Sequence, residues 1–226
     1  MATRGGAIMA SADIFSVVIR GRGGHASMPY LVLDPVPVAA EIVTAFQTKI
    51  TRTINAFDPA VLTVAQISAG STTNMIPETA IIEGTIRAVS EATRSDVMAG
   101  IHRVAEGVAS AHGATAEVVI DAGYRVTIND PGFVRLISEV VPQALPEGAY
   151  VEAPAPVMGA EDFSYVLQQG PGAMAFLGVC PPGLNFAEAP ACHSNRMMLH
   201  EPAMNSGVAV LTEVALAFMA DPSRIA

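Results

Sequence analysis

Apolar and polar positions alternate along the chain in two rhythms, and glycine or proline marks each change of rhythm. From Asp13 to Arg20 the residues Ile14, Phe15, Val17, Val18 and Ile19 predict a largely buried strand, ended by the glycines between Gly21 and Gly24. Asp34 and Pro35 then carry the start signals of a helix, in which Val38, Ile42, Val43, Phe46 and Ile50 return at steps that place them on one face. Two further strands follow, Val61 to Ile67 and Ala80 to Val89. In the second, Ile82, Gly84 and Ile86 alternate with Glu83, Thr85 and Arg87. Ser90 is a capping residue for a long helix that runs to about Ala111. Val97, Ile101, Val104, Ala105 and Val108 form its core face, and His112-Gly113 ends it. A last strand spans Ala116 to Ile120. The order strand, helix, strand, strand, helix, strand predicts a ferredoxin-like two-layer α/β sandwich.

Beyond Gly123-Tyr124 the texture changes. A helix is predicted from about Pro131 to Ala144, then a proline-rich link, a short helix after Gly159, an apolar strand at Ala173 to Val179, a Pro/Gly loop and a final helix. This is α/β material with too few strands for a doubly wound domain, so an incomplete doubly wound α/β portion is expected, its sheet finished by something else. The expected domains are residues 1–12, a residual segment; 13–122, the sandwich; and 123–226, the incomplete α/β portion.

Composition narrows the partners. Of 226 residues 51% are hydrophobic and 15% charged, which excludes a disordered or fibrous class. Twenty-one acidic against 12 basic side chains give a net charge of −9 with no cluster of Lys and Arg, so nucleic acid is excluded as a partner and a small molecule is expected. Cys180 and Cys192 have neither zinc-ribbon spacing nor a secreted disulfide framework. With no apolar core of signal-peptide length in Met1 to Ala10, they point to a cytoplasmic location. No membrane span is expected, because the most apolar stretch, Gly207 to Ala220, is interrupted by Thr212 and Glu213; it reads as an amphipathic, mostly buried helix.

A few polar residues stand out at loop-like positions. His25 follows a glycine run that allows close backbone approach to a ligand, although a turn whose His merely caps an element fits equally well. Arg87 lies on an otherwise apolar and small strand, and Asn74 sits in the turn before it. An Arg fork and an amide suit a carboxylate, while an exposed sheet residue and a turn residue are the plainer alternatives. His193 is a loop histidine, and Glu161 and Asp162 fit the start of a helix.

The segments Gly21-Arg22-Gly23-Gly24-His25-Ala26-Ser27-Met28-Pro29, Asn74-Met75-Ile76-Pro77 and Gly84-Thr85-Ile86-Arg87 resemble the lid, or dimerisation, domain of the two-metal amidohydrolase and peptidase family that includes aminoacylases, hippurate hydrolases and glutamate carboxypeptidases. Met158-Gly159-Ala160-Glu161-Asp162-Phe163 resembles the Gly-x-Glu-Asp-Phe segment of the hippurate-hydrolase branch, and Cys192-His193-Ser194-Asn195-Arg196 its C-terminal His-Ser motif. His200, Met197 and Met198 depart from the family pattern outside the proposed ligands, and His102 and His112 are given no role.

The resemblance implies a reaction and a set of roles. The reaction is hydrolysis of N-acyl amino acids or related amides bearing a free carboxylate. His25 steadies the oxyanion from the partner subunit of a homodimer formed through the lid, Asn74 and Arg87 bind the substrate carboxylate as one anion-gripping site, and Gly159 offers a backbone contact to substrate. His193 is a terminal ligand of zinc or another divalent metal pair. In this chain that pair is expected to be incomplete or absent, because the remaining ligands and the glutamate base lie in an N-terminal portion that nothing here resembles. The isolated chain is therefore expected to be inactive, with a separate N-terminal catalytic half as a possible partner. Two other readings are a non-catalytic dimerisation or carboxylate-binding module from a truncated or split gene, and a free-standing ferredoxin-like sensor.

Overall fold

The computed structural model describes residues 1–225; Ala226, the last residue of the expected C-terminal portion, lies outside them. The chain forms two units, one of Met9–Thr127 with Val157–Tyr165, the other of Met1–Ile8, Ile128–Pro156 and Val166–Ala226.

The first unit is built on the strands β1 (Asp13–Arg20), β2 (Ala60–Ala69), β3 (Thr79–Ala88) and β4 (Thr115–Asp121), with helices α1 (Pro35–Thr53) and α2 (Glu91–Ala111). The sheet order is β2-β3-β1-β4 with every neighbouring pair antiparallel, which is the ferredoxin-like arrangement expected from the sequence. Both helices start where the caps are. The Asp34 carboxylate accepts from Val36 N and the Ser90 hydroxyl from Thr93 N. Gly113, in the left-handed region at φ 76°, lets the chain leave α2.

One face of the sheet carries the core. Phe15, Val17 and Ile19 of β1 and Ile82 and Ile86 of β3 meet Val38, Ile42 and Phe46 of α1 and Val97, Ile101 and Ala105 of α2. The Phe15 and Phe46 rings meet edge to face at 5.8 Å. Gly84 stands opposite Phe15 in the ladder, and a β-carbon there would lie 2.0 Å from Thr63 O and 2.7 Å from the Phe15 ring. The position therefore admits no side chain while Phe15 fills the space.

A buried ion network closes the end of the sheet where the Met9–Thr127 segment enters β1 and leaves β4. Arg94 of α2 grips Asp13 through two bonds, of 2.6 and 3.0 Å, and reaches Glu91 at 2.9 Å. Asp13 also accepts from Gly123 N, and Glu91 from Val126 N. Entry and exit are thus tied to one guanidinium. Burial alone raises the pKa of the Glu91 carboxyl, but the Val126 N–H and Arg94 outweigh it and hold the group below its ordinary value.

In the second unit, α3 (Pro131–Ala144) packs on α4 (Ala203–Ala220) through Ile137, Val141 and Val210 and through a Phe133–Phe218 ring contact at 5.3 Å. The buried Asn129 clips its loops together, donating to Thr3 Oγ1, Arg4 O and Met174 O and accepting from Met174 N. Two expectations fail here. The strand at Ala173 to Val179 is reduced to a single bridge between Phe176 and Ala2, beside a two-residue parallel pair of Ala2–Thr3 with Val151–Glu152, because a strand needs a neighbour along its length. The final helix is mostly exposed rather than buried: Val210 alone is buried, while Val208, Leu211, Leu216 and Met219 face outward. By length and composition it is apolar enough to cross a membrane, so Thr212 and Glu213 do not break the stretch as expected.

Two stability predictions follow from this packing. Gly84→Ala is expected to cost about 3 kcal/mol by forcing Phe15 and β2 apart, read as a lower urea midpoint. Glu91 has a lower folded than unfolded pKa, so its contribution is complete above the unfolded value and is lost as pH falls through the folded one. The urea midpoint measured from pH 6 downward, a range set from the ordinary Glu value, is expected to fall less steeply in Glu91→Gln than in the parent.

Candidate functional site

The glycine run is shaped by protein backbone. Arg22 bridges Leu33 on one side, and Gly24–His25 forms a short ladder with Met75–Ile76 on the other. A β-carbon at Gly21 would lie 2.1 Å from Leu33 O, one at Gly23 2.8 Å from Ile76 O, and one at Gly24 2.4 Å from Val32 Cγ1. These glycines thread one strand between two others, which is a different use from the ligand approach expected of them.

The threading carries His25 to the exposed tip of the unit, opposite Met75, while Ala26 N donates to Asn74 O at 3.0 Å. His25 and Asn74 are therefore brought together. The Ser27 N–H donates to His25 Nδ1 at 3.2 Å and the Ser27 hydroxyl lies 2.8 Å from the same atom. Because a backbone N–H can only donate, Nδ1 is the acceptor, and the neutral ring carries its proton on Nε2. That N–H is the donor His25 can offer to an anion. The Asn74 carbonyl oxygen accepts from Thr72 Oγ1 at 2.8 Å, which leaves its amide N–H groups for a ligand.

Arg87 is elsewhere. It lies at the far end of β3, opposite Val61, half-buried, its side chain without a hydrogen bond or ion pair among the described residues. Eight residues of extended strand separate it from Thr79, where β3 begins just after the Asn74 turn; at the rise of a strand this is about 27 Å. Within one chain Asn74 and Arg87 therefore do not meet in one anion-gripping site. A strand this long is a rigid spacer, and its two ends cannot meet.

Gly159 joins the Arg87 end. Ser11 N donates to Ala88 O, Ala10 N donates to Val157 O, and the Met9 side chain would stand 3.0 Å from a β-carbon at Gly159. Gly159 is exposed, and the helix after it begins at Phe163 with Glu161 and Asp162 just ahead of its first turn. His193 belongs to the second unit. It is exposed in a turn at φ 72°, the one non-glycine residue with positive φ among the described residues, a conformation held at a cost. His112 and His102 face Glu41 and Glu106 on helix surfaces.

The donor set decides what these residues can hold. A paired metal site needs several ligands around each ion, and no three His, Cys, Asp or Glu side chains cluster among the described residues. His193 by itself does not fit the metal pair.

Residues 9–112 match the peptidase dimerisation domain. The chain is 36% identical over 178 residues to thermostable carboxypeptidase 2 of Saccharolobus solfataricus, covering 78% of this chain and 44% of that protein. It is 36% identical over 173 residues to N-acetyl-L-cysteine deacetylase of Bacillus subtilis, covering 76% and 41%. A solved Bacillus subtilis structure, described as a dinuclear metal-binding peptidase of the M20 family, superposes with a TM-score of 0.76 at 27% identity, over 96% of this chain and 52% of that one. The chain belongs to the M20 family of peptidases and amidohydrolases. It spans about half the length of the M20 relatives it matches.

The motif segments were readable in the sequence, and so was the pairing of His25 with Asn74 at one tip. The separation of Arg87 was readable too, in the twelve residues between Asn74 and Arg87, ten of them in strands. The Asp13–Arg94–Glu91 network carried no signal, since an Asp and an Arg 81 positions apart become partners only through the fold. Removing the ring of His25 is expected to leave the fold intact because the side chain is exposed. His25→Ala should match the parent in urea midpoint within about 0.5 kcal/mol.

Proposed function

We propose that the chain provides part of an amidohydrolase acting on N-acyl amino acids or related amides with a free carboxylate, and that its site is assembled from two copies. The observation that carries this is the strand length: with Arg87 and Gly159 at one end of β3 and His25 with Asn74 near the other, only a second copy can bring both ends to one substrate. Arg87 then offers a bidentate grip to the carboxylate, Gly159 a close backbone approach, the partner's Asn74 an amide, and the partner's His25 the Nε2–H that meets the oxyanion. The relatives support the reaction class, since a carboxypeptidase and an N-acetylcysteine deacetylase both break an amide C–N bond. A divalent metal pair belongs to the reading by way of the M20 neighbour, with His193 as this chain's contribution.

The test is an assay on N-acetyl amino acids and their methyl esters, using the chain alone and the chain joined to the N-terminal half of the Bacillus subtilis deacetylase. The chain alone, supplied with zinc, is expected to show no turnover, and the joined form to show turnover that His193→Ala abolishes. In the joined form Arg87→Ala is expected to raise KM for the acids about tenfold to a hundredfold and to leave the esters nearly unchanged. Turnover by the chain alone that vanished on His193→Ala would contradict the ligand count. Equal losses on acid and ester would assign Arg87 to the fold. Absence of turnover in a folded joined form would favour a non-catalytic dimerisation module.

A further inference from the structure

We infer that Phe57 of each chain seats in a groove at the tip of a second copy, making a reciprocal pair of aromatic plugs that sets the register of the dimer. The inference rests on the two-copy reading above. Phe57 is 97% exposed, the most exposed of the chain's large hydrophobic side chains, yet its loop is rigidly built. Asn55 Oδ1 accepts from Phe57 N, Asp58 N donates to Asn55 O, and the Asp58 carboxylate accepts from the hydroxyls of Ser90 and Thr93. An aromatic held outward on an ordered turn loses little freedom when it is buried.

The receiving site lies at the other end of the adjoining strand. A groove of about 440 Å³ is lined by Val36, Gly70, Thr72, Thr73, Met75 and Pro77, next to Asn74 and the His25 ladder. Phe57 precedes β2 and the groove follows it, and β2 is the edge strand of the sheet, with no neighbour on its outer side among the described residues. An open edge of this length invites strand addition, and a two-fold axis makes the added strand antiparallel.

The irregularity in β2 selects the register. Residues 60–64 pair in step with β3, Ala65 is left out, and pairing resumes at Gln66. Leu62 therefore shares the helix-covered face with the even-numbered positions before the irregularity and Ile67 shares it with the odd-numbered ones after it, since both stand opposite the buried Ile86 and Ile82. Side chains facing each other across an antiparallel ladder must point to the same face, so the register has to match even positions of one copy with odd positions of the other. Ala60 against the partner's Ala69 and Leu62 against the partner's Ile67 meet this condition along the whole strand. Ile67, 54% exposed although it faces the helix layer, gains a cover. In this register Ala60, three residues after Phe57, lies beside the partner's Ala69, which itself lines the groove. The same register brings the Arg87 end of one copy beside the His25 end of the other.

The test uses the full chain. The parent and Phe57→Ala are compared by circular dichroism and by sedimentation velocity over a range of concentrations, and a photoreactive benzophenone side chain is placed at position 57 in dimers of mixed isotopic composition. The expected results are unchanged secondary structure, a dimer dissociation constant raised about a hundredfold by the loss of two ring burials, and cross-links that join position 57 to residues 69–77 of the other copy. A dimer whose dissociation constant moves less than about threefold, or whose cross-links fall elsewhere, overturns the plug while leaving the two-copy site standing. A parent chain that remains monomeric at all concentrations overturns both.

Discussion

The length and stiffness of β3 govern the rest of the molecule. Ten residues of strand, hydrogen-bonded on both sides by β1 and β2, run from the turn that carries Asn74 to the end that carries Arg87. The strand is held flat against the helices by Ile82 and Ile86, and its one missing side chain, at Gly84, is filled by the ring of Phe15. A β-sheet so covered does not bend enough to bring its ends together. Arg87 is therefore kept about 27 Å from Thr79, where β3 leaves the Asn74 turn, in each chain. An interior requirement, close packing under two helices, thus fixes the distance over which the candidate site must be assembled.

The tip and the base of this sheet are built by different means. At the tip, glycines remove side chains so that backbone can pass between backbone, and the reward is a His held by Ser27 in the tautomer that presents Nε2–H. At the base, Arg94 gathers Asp13, Glu91 and the Gly123 segment, so a buried charge in a hydrogen-bonded network ties the start of β1 to the segment that follows β4. A pair of this kind adds little net stability over apolar packing, but it is costly to break on one side, which keeps the base of the unit in one geometry.

What could be read in the sequence followed the range of the interactions. The sandwich was legible because its helices and strands are encoded locally, by Asp34 and Ser90 at the caps, by the alternation around Ile82 and Ile86, and by Gly113 at the end of α2. His25, Asn74 and Arg87 stood out for the same reason. Their spacing in the fold was harder to read, because a strand between two motifs looks, in one dimension, like proximity. The second unit was less legible. Apolar composition at Ala173 to Val179 suggested a strand, and in α4 a buried helix, but both patterns report only a preference for burial. Whether it is met depends on neighbours, and among the described residues Phe176 finds one bridge and α4 one packed side.

Assembly of the site from two copies is the central claim, and mixing subunits tests it most directly. His25→Ala and Arg87→Ala forms of the joined enzyme are combined under conditions in which subunit exchange is verified independently, and are assayed on N-acetyl amino acids well below the parent's KM, where each form alone has little activity. In a mixed dimer one of the two sites receives Arg87 from one copy and His25 from the other, so activity is expected to rise to roughly a quarter of the parent's. If exchange is complete and the mixture is no more active than its components, both residues serve the same chain's site, and the account is contradicted.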